Sequence, residues 1–225
     1  MSKTIKITKR EIKEDKFTTF MLQAKDYVME RWVYFVGGLV VVFAAVLIAS
    51  FLKSGAAKNE QVAVETYNRA MSELYSKNYQ LAVVDFKTVV DQYGSTSQGE
   101  MALFNLGNAY LQSKNFPDAR ATFERYLAKY DDDKFFTASA IAGIAACLAG
   151  TGDVAGAADK YREAAEKFAD FQLAGEYYYQ ALYYYVQSGN IESAKVVLTK
   201  LNKEFPGTRA DRDGLRLASE HNIVL

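Results

Sequence analysis

Residues 102–130 read ALFNLGNAYLQSKNFPDARATFERYLAKY, and this stretch decides the fold. Apolar residues recur at helical spacing on both sides of the polar break at Ser113–Asn115, which predicts two helices joined by a tight turn. Gly107 and Ala119 are small where the paired helices must cross closely, and Leu106 and Phe123 fill the space on either side. Outward from this unit the same turn and second helix return as SKNYQLAVVDF (76–86), GTGDVAGAADKY (150–161) and QSGNIESAKVVL (187–198). The central alanines Ala82, Ala119, Ala157 and Ala194 are 37, 38 and 37 residues apart. Four residues after each stands a bulky apolar residue: Phe86, Phe123, Tyr161 and Leu198. The units close on QYGST, KYDDD, KFADF and EFPGT, an aromatic followed by polar or turn residues. A repeat of this period is the mark of a solenoid.

The pattern resembles the tetratricopeptide repeat, with Leu103, Leu106, Gly107, Tyr110, Ala119 and Phe123 at signature positions and a terminating turn at Asp131. The resemblance covers residues 60–208 and implies an all-α fold. The expected architecture is a tetratricopeptide α-solenoid of about four helix pairs plus a C-terminal capping helix, on a single N-terminal transmembrane helix. The first and third units are the more degenerate, and Arg69 stands where a core leucine is usual. The period exceeds the common spacing of about 34 residues. After EFPGT, Thr208 is placed to cap a last helix over Arg209–Glu220, with Asp211 at the capping-box position.

The span comes from Trp32–Leu52, WVYFVGGLVVVFAAVLIASFL, in which no residue is charged. At about 1.5 Å per residue such a helix matches the hydrocarbon thickness of a bilayer. Arg31 and Lys53 bracket it, and Trp32 and Tyr34 fit an interfacial belt. The leader and the apolar run are both longer than a cleaved signal peptide has, so an uncleaved signal anchor is expected. Eight basic residues precede the span, which places residues 1–31 in the cytoplasm and 53–225 outside it. Within the tail, Phe17, Phe20, Met21, Ala24, Tyr27 and Val28 follow helical spacing, as an interfacial helix or a docking helix for a membrane partner. The expected domains are a tail (1–31), span (32–52), linker (53–59, KSGAAKN), solenoid (60–208) and capping helix (209–225).

Chemistry is scarce. Lys+Arg and Asp+Glu are 27 each, so no basic surplus points to nucleic acid. The only two prolines, Pro117 and Pro206, speak against a turn-rich β fold. One cysteine, Cys147, and one histidine, His221, leave almost no material for disulfides, zinc sites or histidine-based triads. Asp131–Asp133 lacks the spacing of a calcium loop, and Gly143, Gly150 and Gly152 form no phosphate cradle; Gly150 and Gly152 belong to a turn. No catalytic residue, metal ligand, cofactor or small-molecule substrate is expected, and the protein is not read as an enzyme.

What remains is the groove that the resemblance implies along the first helix of each repeat. Its positions fall on Tyr67 and Met71, then Phe104, Asn108 and Gln112, then Ala142 and Ala146, then Tyr179, Tyr183 and Gln187. Residues 177–186, YYYQALYYYV, place six tyrosines on one helix, so some must face solvent or a partner. Phe104 stands where a clamp for chaperone carboxyl termini has lysine, so that clamp is not expected.

The expected function is a membrane-anchored protein–protein interaction module of the bacterial envelope. Its partners would be membrane complex subunits or periplasmic chaperones, together with the lipid bilayer through Phe17, Phe20, Met21, Trp32 and Tyr34. The architecture resembles that of ancillary Sec-translocon subunits, with a cytoplasmic tail, one span of the inner membrane and a periplasmic repeat domain. Two alternatives stay open: a structural subunit of another membrane complex, respiratory or photosynthetic, and a coordinator of the cell envelope or division. A lipoprotein is excluded, since no cysteine lies near the membrane segment.

Overall fold

The computed structural model describes residues 9–130, 132–170 and 173–224. Among the described residues there are ten helices and no strand: α1 (Lys9–Glu30), α2 (Trp32–Tyr75), α3 (Tyr79–Gln92), α4 (Gly99–Gln112), α5 (Phe116–Lys129), α6 (Lys134–Gly150), α7 (Val154–Lys167), α8 (Ala174–Gln187), α9 (Ile191–Glu204) and α10 (Arg209–Glu220). The chain divides into two compact units between Ala57 and Lys58.

In the first unit α1 stops at a break on Arg31, whose carbonyl accepts from Tyr34 N at 2.9 Å and Phe35 N at 3.3 Å. The Arg31 guanidinium lies 5.0 Å from the centre of the Tyr27 ring. Among the described residues α2 alone is long and apolar enough to cross a membrane. Its apolar side chains between residues 32 and 51 are bare: Tyr34 is 80% and Phe51 81% exposed. The expected linker, 53–59, is helical and lies within α2. Its two alanines favour helix, it contains no proline, and the single Gly55 is too weak a breaker to end the helix.

The second unit is a series of helix pairs in which each helix packs on the next, with α10 closing over α8 and α9. Four turns between paired helices repeat one geometry. Lys77, Lys114, Gly152 and Gly189 are all left-handed, with φ of 63°, 60°, 89° and 74°. The next residue in each case donates its N–H back across the turn: Asn78 to Glu73 O, Asn115 to Tyr110 O, Asp153 to Leu148 O and Asn190 to Tyr185 O, at 2.8–2.9 Å. These bonds satisfy carbonyls that the ending helix leaves without partners. Asp153 and Asn190 then cap the following helix by accepting from Gly156 N and Ser193 N. Pro117 lies in the first turn of α5, where a missing N–H loses no helical bond.

The core follows the repeat. Ala82, Ala119, Ala157 and Ala194 are fully buried, as are Phe86, Phe123 and Leu198. A Cβ on Gly107 of α4 would fall 2.7 Å from Phe123 Cε1, and one on Gly143 of α6 would fall 2.5 Å from Phe123 Cε2. Phe123 of α5 therefore fills the space that both glycines leave. Gly150, expected in a turn, is the last residue of α6, and a Cβ there would meet the Phe116 ring at 2.4 Å. Arg69 keeps its register: it is 60% exposed on the first pair and donates two bonds, at 2.5 and 2.8 Å, to Asp85 of α3. A charge is tolerated there because this edge of the first pair faces solvent.

At the far end Thr208 caps α10 by accepting from Asp211 N at 3.2 Å. The Asp211 carboxylate is buried and accepts from Gly207 N at 2.8 Å and Asn202 Nδ2 at 3.0 Å. The return bond of this box therefore reaches one residue earlier than expected, because Thr208 N is held by Phe205 O. Asp133 caps α6 by accepting from Phe135 N and Phe136 N. Asp131, proposed for the terminating turn of the second unit, lies outside the described residues.

Candidate partner-binding face

Among the first helices of the pairs, the C-terminal part of α2 meets α4 through Tyr67 and Asn105, and α6 meets α8 through Ser139 and Tyr177. α4 packs on α6, and polar bonds link neighbours one repeat apart. Asn105 Nδ2 donates to Tyr67 Oη at 3.0 Å, and Ser139 Oγ lies 3.3 Å from Tyr177 Oη. Both pairs are 38 residues apart, so the repeat period itself brings them together. Neither bond was expected from the sequence, although the spacing that reveals the repeat would have paired them.

The expected contact residues divide into three groups. Gln112 and Gln187 are exposed, whereas Tyr67, Met71, Asn108, Tyr179 and Tyr183 are half-buried. Tyr67 packs edge-on against Phe86 at 5.7 Å. Tyr183 accepts from Gln187 Nε2 at 2.7 Å and meets Tyr184 edge-on at 5.1 Å. Phe104 corrects the expectation: it is 7% exposed, with Phe136, Tyr126 and Phe123 at 5.0, 5.6 and 6.0 Å. Phe136 comes from the following pair and covers it. Ala142 is likewise buried, at 8%, while Ala146 is half-buried.

The six tyrosines of α8 separate by helical phase. Tyr178 and Tyr185 are buried two turns apart, and Tyr177, Tyr179, Tyr183 and Tyr184 are half-buried. Tyr184 stacks in parallel on Tyr161 of α7 at 5.7 Å. Burial raises the pKa of Tyr67, Tyr177 and Tyr184, so these hydroxyls are protonated at neutral pH and serve as hydrogen-bonding groups.

Cavities elsewhere are poor sites for chemistry. A depression of about 620 Å³ on α7 is lined by Asp159, Lys160, Arg162, Glu163, Glu166 and Lys167. Most of these charges are already paired, as Lys160–Glu163, Arg162–Asp159 and Lys200–Glu166. A second cavity, about 350 Å³, lies beside Cys147 and Arg120. Burial pushes the Cys147 thiol up to about 11, so it stays protonated at neutral pH and is a weak nucleophile. Among the described residues no group of three or more His, Cys, Asp or Glu could hold a metal ion. His221 is exposed at the end of α10.

The N-terminal residues expected at a membrane interface are described within the first unit alone. Phe17, Phe20 and Met21 on α1, and Trp32 and Tyr34 on α2, all have more than half of their surface exposed.

Comparison with known families agrees with this geometry. Two profiles described as tetratricopeptide repeat match the chain, one over residues 67–134 and one over 177–208. No curated protein matches it. The matched stretches hold the turns at Lys77, Lys114 and Gly189 and the helix pairs on either side of α6 and α7. Such repeats are typically non-catalytic scaffolds that bind other proteins. The chain carries tetratricopeptide repeats, flanking its third helix pair.

Proposed function

We propose that this protein is a membrane-anchored interaction module of the bacterial envelope. Residues 1–31 lie in the cytoplasm, 32–52 cross the inner membrane and 53–225 form a periplasmic domain that binds proteins along its first helices. The observation that carries this reading is the pairing, in one chain, of tetratricopeptide repeats with an uncharged helical run whose side chains are exposed. Exposed apolar side chains on that scale favour lipid over water. The basic tail supports the orientation. Membrane complex subunits, such as those of a translocon, or periplasmic chaperones are the partners this architecture suits.

Protease added to spheroplasts should digest the repeat domain and spare the tail, and the mature protein should keep its N-terminus. Benzoylphenylalanine at Gln112 or Gln187, activated by light in whole cells, should give adducts with envelope proteins. Protection of the repeat domain, or adducts confined to cytosolic proteins, would end this reading.

The bare apolar residues of α1 favour a second reading, in which Phe17, Phe20 and Met21 dock on a subunit of another membrane complex. Deletion of residues 11–31 would then release the partners while groove substitutions leave them bound.

A further inference from the structure

Glu30 ends α1, Arg31 forms the break, and the uncharged run of α2 begins one residue later at Trp32. At this break Tyr27, Glu30, Arg31, Tyr34 and Phe35 line a cavity of about 580 Å³. All five are exposed. Among the described residues neither Glu30 nor Arg31 has an ion-pair partner. Charges a turn apart elsewhere pair with each other, as Arg120–Glu124 and Lys87–Asp91 do.

The geometry explains why these two stay apart. Adjacent side chains at a helix end diverge, so Glu30 and Arg31 do not face each other. The Arg31 guanidinium instead lies over the Tyr27 ring, 5.0 Å from its centre, within reach of cation–π attraction. Phe35 meets the same ring edge-on, at 6.5 Å and 76°. A guanidinium placed this way keeps its N–H groups for another acceptor, and its planar fork matches a phosphate.

The cavity therefore offers one unpaired cation and one unpaired anion beside aromatic rings. A purely anionic ligand would suit Arg31 and be repelled by Glu30, and a purely cationic one the reverse. A zwitterion with a phosphate next to a primary ammonium satisfies both. Its ammonium donates to the Glu30 carboxylate, which a quaternary ammonium has no N–H to do. Tyr34 and Phe35 supply aromatic surface where headgroups meet hydrocarbon.

We infer that the α1–α2 break binds the phosphoethanolamine headgroup of a membrane lipid, with the phosphate on Arg31 and the ammonium on Glu30. This rests on the reading that residues 32–52 span the bilayer, which sets the cavity at headgroup depth. The acyl chains of the lipid run along the bare side chains of α2, such as Phe35 and Leu39.

The test uses the full chain in nanodiscs holding equal amounts of phosphatidylethanolamine, phosphatidylcholine and phosphatidylglycerol. Native mass spectrometry then identifies the lipid that the released protein retains. The expected result is retention of the ethanolamine lipid at least ~10-fold above either of the others, about 1.4 kcal/mol. Arg31→Gln should abolish retention with an unchanged circular dichroism spectrum. Glu30→Gln should erase the preference for ethanolamine over choline while a lipid is still retained. Lys53→Gln, at the other end of the span, should keep the original pattern.

Equal retention of the three lipids, a preference for choline or glycerol, or no retained lipid overturns this inference. So does a folded Arg31→Gln variant that keeps the lipid, a Glu30→Gln variant that keeps the preference, or a Lys53→Gln variant that loses it. Protease treatment of spheroplasts judges the span separately. A correctly oriented chain without lipid preference ends this inference alone, whereas protection of the repeat domain ends the reading on which it rests.

Discussion

The ring of Phe123 occupies the space in which a side chain at Gly143 would stand, 2.5 Å from the nearest ring carbon. Gly143→Ala should therefore overpack the contact between the second and third pairs and cost about 1–3 kcal/mol. Phe123→Ala should leave a cavity and cost about 3–5 kcal/mol. Combining Gly143→Ala with Phe123→Ala should cost less than the sum of the two single changes, because the residues touch. Urea melts of the four proteins decide this, and strict additivity would refute the packing argument.

The four left-handed turn residues give a paired prediction. Lys77 and Lys114 hold a conformation that disfavours side chains, whereas Gly152 and Gly189 hold it without strain. Gly152→Ala should destabilise by about 1–2 kcal/mol. Lys114→Gly should be neutral or stabilising by up to about 1 kcal/mol, strain relief being offset by chain entropy. Thermal melts showing the reverse order would break the equivalence of the turns.

Buried phenols set an alkaline limit on stability. Burial raises the pKa of Tyr178 to about 12, and burial with an adjacent carboxylate raises those of Tyr126 and Tyr185 further. Tyr126 Oη donates to Glu100 at 2.9 Å and Tyr185 Oη to Asp159 at 2.5 Å. Because the folded pKa values exceed the unfolded value near 10, the stabilisation is complete below about pH 10. It is lost as pH rises through the folded values. Urea midpoints should be flat with respect to these groups from pH 8 to 9.5 and fall from about pH 10 upward. Replacing Tyr178 with Phe should make that fall shallower.

At the C-terminal end, Asp211→Ala should strand Gly207 N and Asn202 Nδ2, costing about 1–3 kcal/mol. The damage should concentrate in α8–α10, because solenoid repeats interact with their neighbours. Hydrogen exchange would show it as faster opening of α9 and α10 with α3–α5 little changed. Uniform loss of protection would count against this.

The repeat was legible because alanines at 82, 119, 157 and 194 had to be small wherever two helices cross, and the sequence shows that demand directly. Cap residues such as Thr208 were legible for the same local reason. Exposure on the partner-binding face was less so. Phe104 and Tyr179 share one register position, yet Phe104 is buried because Phe136 of the next pair closes over it. Periodicity tells which face a residue occupies, not which neighbour covers it. The helical state of residues 53–59 was also missed, since a composition typical of linkers need not interrupt a helix already running from Trp32.

The turns around Lys77, Lys114, Gly152 and Gly189 have a consequence for how the chain folds. Each is closed by bonds between residues at most five apart, so a hairpin can form without waiting for distant parts of the chain. Loop closure is then cheap in entropy, and nucleation is open to every pair. The second pair has the advantage, since Phe123 meets Gly107 only sixteen residues away and then offers its other side to Gly143. Folding that begins there grows outward in both directions by adding one hairpin at a time. A chain delivered N-terminus first would have that nucleus complete before α9 and α10 follow.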